Sequence, residues 1–137
     1  MWPKTFDQRL AAWYNLREST QSFPLEQTLE AINHWWSHTP WQPYYLHWDD
    51  YSKWPDPWQL LSDNVYCDVA RALGILYTVS MLDRADTADV ELVLTEDGRN
   101  LVQVNKGKYI LNWHPDKIVN TFQEVKIKKQ YSKNQIM

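Results

Sequence analysis

One cysteine, three glycines and three phenylalanines are all that 137 residues hold of these types, and each scarcity excludes something. A lone Cys67 forbids an internal disulfide. With so few glycines there is no glycine-rich loop to cradle a phosphate. No apolar run approaches the roughly 18 residues that a membrane span requires, so no membrane partner is expected. The opening Met1-Trp-Pro-Lys-Thr-Phe-Asp has no apolar stretch behind its charge and does not read as a secretory signal. The expectation is a chain made in a cytoplasm and kept or assembled there. No internal repeat is visible.

What is abundant is aromatic. Nine Trp and eight Tyr accompany a composition that is 44% hydrophobic and 23% charged, which specifies a folded domain with a single core. Large rings bury much area and favour interfaces where a ring nitrogen or hydroxyl stays wet. Nine indoles crowd one small core, which makes part of them candidates for a partner-facing surface. The formal net charge of −3 argues against a general nucleic-acid binder. Residues 117–137 carry +4 and the remainder −7.

Periodicity outlines an α+β chain, helices first and then an antiparallel meander. Residues 5–18 read as an amphipathic helix. A second, with Ser22 as cap and Pro24 in its first turn, places Leu25, Leu29, Ile32 and Trp36 on one face. Residues 39–58, with four prolines and Trp41, Trp48, Trp54 and Trp58, form a structured aromatic loop. Asp56 caps a short helix over residues 57–61. Asp63 or Asn64 then caps a long buried helix running to about Leu82, with Cys67 in its first turn. The period next falls to two. Strands are predicted from Val90, over Leu101–Asn105 and over Lys108–Trp113, with Asn105-Lys-Gly107 as a hairpin turn and Pro115 closing the last. Phe122, Val125 and Ile127 mark a further candidate strand. Residues 1–127 are taken as one domain and 128–137 as a flexible basic tail.

The chemistry-bearing residues are few. A helix N-terminus carries partial positive charge, which favours a thiolate at Cys67. A thiol nucleophile still needs a base, and usually a third group to orient that base. His114 and His47 are the candidate bases. His34 and His38 are four apart, which suits a zinc pair with Asp49 or Asp50 as third ligand. No glutamate follows the first histidine as a metalloprotease needs, and Trp35 and Trp36 fill the same turn, so no metal or other cofactor is assigned. Asp49, Asp50, Asp56 and Asp63 beside a tryptophan cleft suggest sugar chemistry or sugar binding. Turn and capping roles account for Asp56 and Asp63 more simply. Lys126, Lys128 and Lys129 suit an acidic neighbour.

A cysteine opening a helix that is followed by three strands is similar to the transglutaminase-like core, over about residues 60–116. In that family a histidine starts the second strand and an aspartate ends the third. Here the histidine position falls near Asn100, and the aspartate position near Asn112 or His114. The resemblance therefore implies an enzyme frame in which only the cysteine of the triad survives. The phrases Lys53-Trp-Pro-Asp-Pro-Trp58 and Asn64-Val-Tyr-Cys-Asp-Val-Ala-Arg-Ala-Leu-Gly74 resemble small proteins of tailed bacteriophages. That resemblance implies a virion component of tail, baseplate or neck, partnered by other virion subunits, with Trp41, Trp48, Trp54 and Trp58 as interface anchors. The resulting expectation is a non-catalytic structural or assembly protein. The alternative is a cysteine hydrolase or acyltransferase using Cys67 as nucleophile, His114 as base and Asn112 as orienting group. A carbohydrate-binding module is a third reading.

Overall fold

The computed structural model describes residues 2–43, 46–48, 50–87, 89–119 and 126–136. Among the described residues five α-helices, α1 (Phe6–Thr20), α2 (Leu25–Ser37), α3 (Pro57–Asp63), α4 (Asp68–Ser80) and α5 (Lys133–Ile136), accompany a five-stranded sheet. The strands are β1 (Val90–Thr95), β2 (Asn100–Val104), β3 (Tyr109–His114), β4 (Lys117–Val119) and β5 (Ile127–Ser132), in the order β4-β3-β2-β1-β5, each pair antiparallel. No helix among the described residues is long and apolar enough to cross a membrane.

Local chemistry sets the helix ends. Thr5 and Gln8 form a reciprocal capping box at α1. Asp56 accepts from Gln59 N at 2.8 Å and Pro57 opens α3, as the sequence predicts. Ser22 does not cap α2. Pro24 itself holds the N-cap with extended ψ, and the preceding corner is tied by Arg84, whose Nη1 donates to Phe23 O at 2.7 Å and Thr28 Oγ1 at 2.8 Å. Nor does Asp63 or Asn64 cap the central helix. Asn64 closes α3 in the left-handed conformation (φ 56°), and α4 starts only at Asp68.

Alternation along the strands divides the sheet into two faces. Val90, Leu92, Val102, Val104, Tyr109 and Leu111 join the main core with α4 and the other helices. Val93, Leu101 and Ile110 form a second cluster, flanked by Trp113 and Val119. Three helices meet at one hydroxyl. The indole nitrogens of Trp13 (α1) and Trp36 (α2) each donate to Thr78 Oγ1 at 2.8 Å, and that hydroxyl donates to Gly74 O at 2.7 Å. Its hydrogen-bonding capacity is then full. Gly74 lets α2 approach α4, because a Cβ there would lie 2.3 Å from the Trp36 ring.

The basic C-terminal segment is not a free tail. Ile127–Ser132 pairs with β1 as the sheet's fifth strand, and Lys133–Ile136 forms α5. The strand is legible in one respect, since Ile127 begins it; Phe122 and Val125 lie outside the described residues. Lysines serve an edge strand well, because they oppose pairing with another chain.

Candidate functional site

The start of α4 is where the chemistry-bearing residues meet. Trp41 bridges Tyr66 in parallel, and Gln42 N donates to Tyr66 O at 2.8 Å, so the backbone entering α4 is extended. Cys67 is consequently the N-cap rather than a first-turn residue, and its carbonyl accepts from Arg71 N at 3.0 Å. Its Sγ is buried and accepts from Leu46 N at 3.4 Å.

Asp68 follows in the first turn, where the helix dipole favours an anion. Its Oδ2 accepts from Asn100 N at 3.2 Å and Asn100 Nδ2 at 3.1 Å, and its Oδ1 accepts from Asn112 Nδ2 at 3.2 Å. Asn112 Nδ2 also donates to Asn100 O at 2.8 Å. Asn112 stands at a bulge between β3 and β4 with φ 66°, a left-handed conformation that asparagine tolerates. Asn33 of α2 holds it there, accepting from Asn112 N at 2.7 Å while its amide donates to His114 O at 2.8 Å.

Thus Asn100, near the histidine position of the resemblance, and Asn112, which with His114 is one of the two residues near its aspartate position, come together beside α4's start. They form an amide cage around Asp68. Two pockets flank it. One of about 280 Å³ is lined by Trp41, Pro43, Leu46, Cys67, Val69 and Asn100 as well as Asp68 itself. The other, about 210 Å³, holds Ser37, Arg71, Asn112 and His114 on Asp68's far side. Arg71 donates to Thr39 O at 2.6 Å and Thr39 Oγ1 at 2.9 Å. Burial pulls its guanidinium below its usual range, opposed by Asp68 and then Cys67.

His114 lines the second pocket, not the Cys67 pocket, and its Nδ1 accepts from Asp116 N at 3.1 Å. No imidazole lines the Cys67 pocket among the described residues. His34 and His38 are exposed at the end of α2. Asp50 faces Lys53 at 3.5 Å instead of those histidines, and Asp49 lies outside the described residues.

Of the aromatic anchors, Trp41 and Trp58 are 58% and 50% exposed. Trp48 and Trp54 are half-buried against the main core. Trp54 meets Tyr131 of β5 edge-on at 5.3 Å, and Lys128 Nζ stands 4.5 Å over the Trp48 ring. Much of the aromatic excess is internal. Trp2, Trp35, Trp36 and Tyr66 form one layer, with Trp2–Trp35 centroids at 4.6 Å. The sequence reading missed Asp68 and Asn33. An acid directly after a helix-opening cysteine signals the first; nothing local signals the second, which acts across 79 residues.

No protein-family model matches the chain, and no curated protein matches it in sequence. Among solved structures the chain is similar to LapG of Legionella pneumophila, with TM-score 0.70 and 18% identity, covering 94% of this chain and 77% of that one. An EGTA-treated LapG structure matches with the same score, identity and coverage of this chain, over 75% of its own length. A calcium-bound LapG structure matches with TM-score 0.70 and 17% identity, covering 94% of this chain and 77% of its own. These likenesses speak to fold alone. The chain has a transglutaminase-like α+β fold.

Proposed function

We propose that this chain is a non-catalytic docking and assembly component on a transglutaminase-like scaffold, taking a partner at Trp41 and the Cys67 pocket. The observation that carries this reading is the set of described groups around the thiol, whose pocket no imidazole among them lines. Leu46 N and the Asn100 amide are donors, and the Asp68 carboxylate is occupied by asparagine amides. A nucleophile deprived of its base loses up to about 10^6 in rate, because the two act as a unit. Trp41, exposed on the pocket's rim, is the kind of ring that anchors an interface. Trp58 is a second exposed anchor, and Lys126, Lys128 and Lys129, exposed at the β5 end, suit an acidic partner.

The partner we propose is another subunit of a phage virion; the support is the resemblance of residues 53–74. Purified chain offered peptide and isopeptide substrates should show no turnover. Turnover abolished by Cys67→Ser would overturn the reading. Trp41→Ala should weaken assembly with virion subunits more than it lowers Tm; equal loss of Tm in the isolated chain would remove Trp41 from the interface.

The second reading, a cysteine hydrolase or acyltransferase, is favoured by one observation: Cys67 caps the N-terminus of the central helix and lines a pocket there. It requires fast, stoichiometric alkylation by iodoacetamide near about pH 6, whereas an inert buried thiol reacts slowly.

A further inference from the structure

His34 lies in the last turn of α2 and His38 follows one turn on as its C-cap, and the turn between β3 and β4 brings Asp116 to them. The His34 Nδ1 to Asp116 Oδ1 distance is 3.3 Å, and His38 Nε2 to the same oxygen is 3.9 Å. One donor atom from each of the three residues falls within 4.8 Å of the others. Zinc bound tetrahedrally at about 2.0–2.1 Å from nitrogen or oxygen needs ligand atoms roughly 3.3 Å apart. One edge of that tetrahedron is already present, and the others close by rotating exposed side chains.

Two further features prepare the cluster. His38 Nδ1 lies 2.7 Å from His34 O. A carbonyl only accepts, so Nδ1 donates there, which leaves Nε2 as the ring atom on the Asp116 side. This is the outer hydrogen bond that orients a metal-bound imidazole. The turn carrying Asp116 is also fixed. His114 Nδ1 accepts from Asp116 N at 3.1 Å, and Asn33 Nδ2 donates to His114 O at 2.8 Å and Lys117 O at 3.4 Å. The ligands therefore come from two elements already joined by hydrogen bonds, which lowers the ordering cost of binding.

We propose that His34, His38 and Asp116 form a zinc-binding site that clips the end of α2 to the β3–β4 turn. Two imidazoles and one carboxylate match zinc rather than calcium or magnesium, which take oxygen ligands. Three protein ligands leave a fourth position for water or for a donor atom of a partner. An open pocket of about 420 Å³ lined by Trp2, Pro3, Ala12 and Trp35 adjoins both imidazoles.

The test is calorimetric titration of the chelator-stripped full chain with zinc chloride. One equivalent should bind with Kd on the order of micromolar, and calcium chloride should produce no binding. Zinc should raise Tm, and cobalt(II) in its place should give the intense visible absorption of a tetrahedral site. His34→Ala, His38→Ala and Asp116→Asn should each weaken zinc at least tenfold with unchanged far-ultraviolet circular dichroism. All three side chains are exposed, so these variants are expected to fold. Absence of binding at on the order of 100 µM zinc, or binding undiminished in the double variant His34→Ala/His38→Ala, would overturn the site.

Discussion

Asn100 and Asp68 are joined twice, the backbone and side-chain amides of Asn100 both donating to Asp68 Oδ2, at 3.2 and 3.1 Å. With Asn112 on Oδ1, every hydrogen bond to this carboxylate among the described residues comes from an amide. A side chain at position 112 must therefore donate.

Asn112→Asp tests that requirement. Aspartate also tolerates the left-handed conformation, so the change isolates charge and donor capacity. A second carboxyl can replace the lost donor only while protonated, so folding raises its pKa. That contribution is intact below about pH 3.9 and is lost as pH rises through the raised value. Urea unfolding should show the variant close to wild type near pH 4 and about 1–3 kcal/mol weaker at pH 7. Equal stability at pH 7 would contradict the cage.

Thr78→Val removes the acceptor shared by Trp13 and Trp36. Two buried indole N–H groups lose their partner, at about 1–3 kcal/mol each. Chemical denaturation should show a loss of about 2–6 kcal/mol. Thr78→Ser keeps the hydroxyl and should lose far less; similar losses in both variants would mean that packing, not the shared acceptor, dominates.

Gly74→Ala sets two effects against each other. Alanine gains up to about 1 kcal/mol of helix propensity. Its Cβ would meet three Trp36 ring atoms at 2.3–2.5 Å, and the Trp36 ring is fully buried with its nitrogen tied to Thr78. Overpacking of that kind costs about 1–3 kcal/mol. Tm should fall; a rise would show that α2 slides aside freely.

Tyr77 donates to Pro55 O at 2.7 Å, fastening α4 to the aromatic loop. Burial, and then the Asp56 charge, pushes its phenol up to about 12 from 10.0. A raised value means that its contribution is fully present below pH 10 and drains away as pH climbs through 12. Stability should drop across that interval, and Tyr77→Phe should flatten the drop. Ultraviolet difference absorbance should show the same phenol titrating late. An unchanged pH slope in the variant would reassign the effect.

Period and turn chemistry were legible where a single segment specifies them. Val90–Thr95 is a short β-branched and leucine-rich run that is buried on both faces, and in Asn105-Lys-Gly107, with φ of 57°, 57° and 85°, asparagine and glycine suit the left-handed region while Lys106 is carried into it by the turn. The start of α4 was misread because Asn64 is a good cap by type yet serves the preceding helix, and because Tyr66 pairs with a distant tryptophan. β5 was misread because its lysines resemble a solvated terminus, while its partners lie more than thirty residues back on β1. Asn100 and Asn112 were placed through a family layout, and the Asp68 they surround was not. Asn33 and Asp116 act across the fold, and no local pattern marks them.

The outer border of β1 is covered by a strand that comes after three others along the chain, and so is made last. Until then β1 offers a row of open amides and carbonyls to any passing chain. A version truncated ahead of Ile127 would keep that border bare permanently, and self-association would be its mark. The lysines of β5 close the gap and make the border that replaces it unwelcoming to further strands.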